Sequence, residues 1–225
     1  MNPNPPAPPV QTIRNSDLDL LGIAPDRPLV IVDVDEVLGM FMAGFGDFLA
    51  GRGLEFRVQR FALFQNIFRP GETDHLDVLE GRRHFDDFFR LGAADMTPAK
   101  GAAAALRGVS DHASLVICSN APPAARLARA RWLGRHGMDY PLMLNVGPKG
   151  PLAAAMAART AHASAFVDDL ISNLDSVADA SPQTARFQHV ADERLRPLAP
   201  SKPDLHRRID DWPTLADAII EAISR

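Results

Sequence analysis

The chain has 225 residues, of which 46% are hydrophobic and 23% charged, with a net charge of −4. That balance excludes a disordered polyelectrolyte and a nucleic-acid coat, since no basic footprint is present to hold phosphate backbones. A single cysteine, Cys118, excludes a disulfide framework and a cysteine-built zinc ribbon and fits a reducing compartment; with no membrane-length apolar run and no signal pattern, a soluble cytoplasmic protein is expected.

The first ten residues hold five prolines and two asparagines, which suits neither a helix interior nor a central strand. Residues 1–17 are therefore expected to form a disordered, proline-rich tail. The folded part begins with the short β-branched run Pro28-Leu-Val-Ile-Val-Asp-Val-Asp35, which fits a strand buried on both faces. Similar runs follow at 114–119, 140–146, 163–168 and 184–190. Between them lie alanine-rich stretches of helical spacing, at 122–136, 149–161 and 170–179, and an amphipathic helix fits 213–223. Strands alternating with helices predict an α/β fold built on a doubly wound parallel sheet.

Residues 39–110 interrupt the alternation. They carry ten of the twelve phenylalanines at helical periods, such as Phe41, Phe45 and Phe48, then Phe85, Phe88 and Phe89. The stretch is too long for an ordinary crossover, so a helical insert over 39–104 with its own small core is expected, inside a main domain formed by 18–38 and 105–225. Core packing is the default role of these phenylalanines, with a minority lining an apolar substrate pocket. Arg57, Arg60, Arg69, Arg82 and Arg83 are candidates for gripping the far end of an anionic substrate, although a solvated face explains each of them as well.

In an open parallel sheet the carboxyl ends of the strands form the site crevice. Here those ends read Asp33-Val-Asp35-Glu36, Ser119-Asn120 and Asp168-Asp169, with Lys149 just ahead of a helix. Alternation places Asp33 and Asp35 on one side of the extended chain. Carboxylates at 33, 35, 168 and 169 would repel one another without a cation, and hard oxygen ligands suit Mg²⁺. The seven histidines are scattered, which disfavours zinc or iron. Lysine is scarce, at three residues against twenty-one arginines, so Lys149 at this position is notable. Asn173 reads as a helix-surface residue.

Four stretches, Val30-Ile-Val-Asp33-Val-Asp35-Glu36-Val37-Leu38, Val116-Ile-Cys-Ser119-Asn120, Gly147-Pro-Lys149-Gly150 and Phe166-Val-Asp168-Asp169, resemble in order the four motifs of the haloacid dehalogenase (HAD) superfamily of phosphohydrolases. The resemblance covers roughly 28–38 and 110–225, and the insert falls where that family places a small α-helical cap. It implies a HAD-like Rossmannoid core and a Mg²⁺-dependent phosphatase acting on a small phosphomonoester, by default a nucleotide or sugar phosphate. It further implies Asp33 as nucleophile, Asp35 as general acid and base, and Lys149 as the charge that steadies both nucleophile and phosphoryl group. Ser119 and Asn120 would hold phosphoryl oxygens. The metal would be held by Asp33, the Asp35 carbonyl and Asp169, with Asp168 as second ligand or orienter.

Glu36 departs from the pattern, which often has a small residue there; its carboxylate could crowd the phosphate, face solvent or hold a basic group of the insert. Two other readings are weaker. Haloacid dehalogenation lacks the second acid that Asp35 supplies, and a binding or regulatory protein that has lost turnover is supported only by Glu36 and the proline-rich start. Neither nucleic acid nor membrane is expected as a partner.

Overall fold

The computed structural model describes residues 13–91 and 96–224. Most of the expected tail, 1–12, lies outside the described residues. Its end does not behave as a tail: Asn15–Asp19 form helix α1, and Leu18 is buried against the sheet. The apolar spacing of Leu18 and Leu21 gives that short turn something to pack on.

Six strands form one parallel sheet in the order β5-β4-β1-β6-β7-β8. They are β1 (Leu29–Val32), β4 (Ser114–Ser119), β5 (Leu142–Leu144), β6 (Ser164–Asp168), β7 (Ala185–Gln188) and β8 (Arg207–Arg208), of which the two-residue β8 has no sequence signal. The chain runs outward from β1 through β4 to β5, then crosses back to β6 on the other side of β1, so β1 stands at the topological switch point.

All four residues of β1 are fully buried and their alternation divides two apolar layers. Leu29 and Ile31, with Val116, Cys118 and Phe166, face a layer that includes Leu152 and Met156 of helix α6 (Gly150–Ala157) and Leu174 and Val177 of α7 (Ile171–Ala180). Val30 and Val32, with Leu115, Ile117 and Val167, face α4 (Ala102–Ser110) and α8 (Trp212–Ile223). Helix α8 starts where Asp211 accepts hydrogen bonds from the Thr214 N–H at 3.1 Å and its hydroxyl at 2.7 Å, with proline in the first turn. Helix α4 crosses the expected end of the insert at 104 and packs on α8 and β4.

The insert is not helical throughout. Between α2 (Phe41–Ala50) and α3 (Val78–Leu91) it carries a two-stranded antiparallel pair, β2 (Glu55–Phe56) and β3 (Ile67–Phe68). Nor does it own a separate core. Phe41, Phe45, Phe88 and Phe89 join the same apolar body as Val30 and Val32, because α2 follows the β1 loop directly and α3 lies back across it. Edge-to-face and offset ring pairs run through the cluster, with Phe85 and Phe89 centroids 4.8 Å apart. The 3-10 turn Pro123–Ala125 leads into α5 (Arg126–Arg135), whose inner face carries Arg129 and Trp132. No helix among the described residues is long and apolar enough to cross a membrane.

Candidate active site

The carboxyl ends of β1 and β6, joined in register, place Asp33 beside Asp168 and Asp169. Ligand-capable oxygens of these three buried residues lie within 4.8 Å of one another. Lys149, at the start of α6, reaches into the group: its Nζ is 2.5 Å from Asp33 Oδ1 and 2.7 Å from Asp168 Oδ2, and its side chain is 1% exposed. The lysine can enter because α6 and α7 touch at Gly150, where an added Cβ would stand 2.0 Å from the Ser176 carbonyl oxygen. Only glycine permits that approach.

The paired acids divide their work. Asp168 is fully buried and saturated: besides Lys149 it accepts from the Leu170 N–H at 2.9 Å and from the Asn173 amide at 3.1 and 3.2 Å. The Asp169 carboxylate has no hydrogen-bond donor among the described residues and faces a cavity of about 240 Å³. Asn173, which the sequence pattern put on a helix surface, is buried behind Asp168 and lines that cavity too.

Asp35 stands outside the three-carboxylate group but lines the same cavity. Its two oxygens accept from a single nitrogen of Arg129 at 2.7 and 3.0 Å, and its side chain is 25% exposed. Arg129 is otherwise buried under the Phe89 ring. Nothing in the motif pattern marks this arginine, although its place on the Trp132 face of α5 was a visible signal. The Ser119 hydroxyl oxygen accepts from the Ala121 N–H at 3.1 Å, and the Asn120 side chain, bonded to Asn145 and Gly147, lines the cavity.

Glu36 neither faces solvent nor holds a basic group. It has a left-handed φ of 59°, and its buried Oε1 accepts from the Met42 N–H at 2.6 Å, at the start of α2. Its backbone N–H donates to the Gly39 carbonyl and its own carbonyl accepts from Ala191, both at 2.8 Å. One residue thereby ties the β1 loop to the insert and to the segment after β7.

The electrostatics follow from burial. Removal from water pushes the Asp33 carboxyl up to about 7; the Lys149 ammonium opposes this, and the charges of Asp168 and Asp35 add to it. Asp169 is likewise held well above the carboxylate range by burial and by Asp168, Asp33 and Glu36. Burial also raises Glu36 to about 8. Lys149 loses solvation on burial, but Asp168 and Asp33 outweigh this and hold it charged. One ammonium against three clustered carboxylates, with Asp169 open to the cavity, is an oxygen donor set that fits a hard divalent cation. Groups in such a set ionise when a cation is among them.

Phe41, Met42, Phe61, Leu63, Phe85 and Phe89 cover the carboxylate floor. None of the five candidate arginines lines this cavity: Arg57 pairs with Glu55 at 2.6 Å, Arg69 pairs with Glu80 at 2.8 Å, Arg82 lies over Phe64, and Arg60 and Arg83 are exposed. A larger cavity of about 580 Å³, among Lys100, His189, Asp192 and Trp212, includes none of the expected site residues.

No family model matches the sequence, and no curated protein is similar to it. Solved structures are. A HAD family hydrolase from Deinococcus radiodurans R1 with bound phosphate and sodium superposes with a TM-score of 0.55 at 18% identity, over 88% of this chain and 97% of that one. A haloacid dehalogenase-like hydrolase from Burkholderia xenovorans LB400 gives 0.60 at 16% identity, over 88% and 99%. A HAD-superfamily hydrolase of subfamily IA from Geobacter sulfurreducens PCA gives 0.51 at 16% identity, over 88% and 99%. The chain has the α/β Rossmannoid fold of HAD-type hydrolases.

Proposed function

We propose that the protein is a Mg²⁺-dependent phosphatase of small phosphomonoesters. The observation that carries this reading is the meeting of Asp33, Lys149, Asp168 and Asp169 at the switch point of the sheet. Asp33 attacks phosphorus through a carboxylate oxygen, the bond from phosphorus to the alcohol oxygen breaks, and an aspartyl-phosphate forms. Asp35 gives its proton to the leaving oxygen. It then takes a proton from the water that attacks the aspartyl-phosphate, so that inorganic phosphate leaves and Asp33 is restored. Lys149 balances charge on Asp33 and on the phosphoryl oxygens, while Ser119 and Asn120 lie at the strand end that would face those oxygens. Asp33, Asp169 and the Asp35 carbonyl would hold Mg²⁺, with Asp168 orienting Lys149; the ion's chemistry there is to offset repulsion between the nucleophile and an anionic phosphoryl group. The insert serves as the cap over the crevice.

The Arg129 contact favours a second reading, a binding protein with little turnover, because it engages the carboxylate that must exchange a proton. Phosphate release from an aryl phosphate separates the two. Under the phosphatase reading it requires Mg²⁺, stops with a chelator and is lost in Asp33→Asn. Bound Mg²⁺ with no release across a broad phosphoester panel supports the binding protein instead.

A further inference from the structure

The notion of a nucleotide or sugar phosphate as substrate presumes that the cavity offers groups to read hydroxyls or a second anion. Its lining argues otherwise. Above the carboxylate floor stand Phe41, Phe61, Leu63, Phe85 and Phe89, and Lys149 is the one cationic side chain that lines the cavity among the described residues. That lysine is already paired with Asp33 and Asp168.

Of the remaining polar side chains at the wall, Asp33 and Asp169 belong to the carboxylate floor, Asp35 is paired with Arg129, and the buried Glu36 Oε2 lacks a hydrogen-bond partner; the others are engaged within the protein. Asn173 donates its amide to Asp168, Asn120 is held between Asn145 and Gly147, and Glu36 Oε1 accepts from the Met42 N–H. A polyol placed against the phenyl rings would bury hydroxyls without partners, at a cost for each. A further phosphate or carboxylate would be desolvated with no countercharge. The aromatic wall is braced by its own ring contacts, Phe41 with Phe89 at 5.7 Å and Phe85 with Phe89 at 4.8 Å, so it is shaped before any ligand arrives. An apolar cavity of about 150 Å³ is enough to take up benzene; the 240 Å³ here suits a phosphoryl group and about one ring.

We infer that the leaving group is a compact, uncharged, apolar alcohol or phenol of about one ring, and that sugar phosphates and nucleotides are excluded by the aromatic roof. This rests on the phosphatase reading for the orientation of the phosphoryl group toward Asp33. Cyclohexylmethyl phosphate and glucose 6-phosphate make the test, since both are primary alkyl phosphates on a six-membered ring and differ chiefly in ring hydroxyls.

Calorimetric titration of the Asp33→Asn protein with Mg²⁺ present is expected to show the cyclohexylmethyl ester binding about tenfold tighter or more. Equal binding, or a preference for the sugar, overturns the inference. Phe85→Asn, at a half-buried position, should narrow the gap severalfold by offering the roof an amide; an undiminished gap in a folded variant also overturns it. Turnover by the wild-type protein keeps the two readings apart. Tighter binding of the apolar ester with no hydrolysis of either compound supports the cavity's preference and defeats the phosphatase. Hydrolysis of glucose 6-phosphate with equal or greater efficiency upholds the phosphatase and defeats the preference.

Discussion

At the carboxyl edge of the sheet, Asp33, Lys149, Asp168 and Asp169 are ionisable and buried, and Lys149 ties Asp33 and Asp168 together at 2.5 and 2.7 Å. A few residues above them Phe41, Phe85 and Phe89 are uncharged and held by ring packing between elements far apart in sequence. Under the proposed function, the first region would supply the electrostatics that a substrate and cation draw on, and the second would exclude water and select by shape. A charge lost from the floor should therefore cost activity first, whereas a change in the roof should alter which ester is accepted.

The largest expected effect separates them outright. Asp33→Asn should lower phosphate release from an aryl phosphate by about 10³-fold or more while leaving the far-ultraviolet circular dichroism intact. Next is Lys149→Met, which leaves Asp33 and Asp168 buried without their shared countercharge. Urea unfolding without metal should show a loss of about 3 kcal/mol. Gly150→Ala touches neither charge nor roof, yet its methyl would meet the Ser176 carbonyl at 2.0 Å and force α6 from α7. A loss of about 2 kcal/mol is expected, with activity falling because Lys149 moves with the helix.

A pH-dependent effect concerns the joint between the regions. The buried Glu36 carboxyl holds its proton up to about 8, against 4.5 for its unperturbed value. Its contribution to stability is complete below 4.5 and drains away as pH rises through 8, since the unfolded chain releases the proton first. Thermal unfolding of the metal-free protein should thus fall more steeply over that window in wild type than in Glu36→Gln. Identical slopes would remove Glu36 as the cause. In the same assay, added Mg²⁺ should raise the wild-type melting temperature, and do so less in Asp169→Asn, because a cation bound only by the native state stabilises it.

The floor was largely legible in the sequence, because each acid or lysine there ends an apolar run or precedes a helix and needs only strand register to meet the others. Register does not reveal side-chain choice. Asp35 follows the motif pattern, yet its partner Arg129 lies 94 positions away and is fixed by how α5 meets α3. Asn173 escaped for a similar reason: a polar residue in the first turn of a helix looks solvated until Asp168 is placed behind it. In the insert, phenylalanine spacing marked α2 and α3. The β2–β3 pair, only two residues per strand, has too short a period to register, and shared packing with Val30 and Val32 is a long-range fact that no local pattern encodes.

The backbone of Glu36 is wound in the sense that glycine adopts freely and a long side chain resists. Replacing it with glycine would ease that winding and, in the same stroke, unfasten the insert from the loop that carries Asp33 and Asp35. The chain thus keeps a costly latch between the β1 loop and the start of α2, one peptide bond from Asp35.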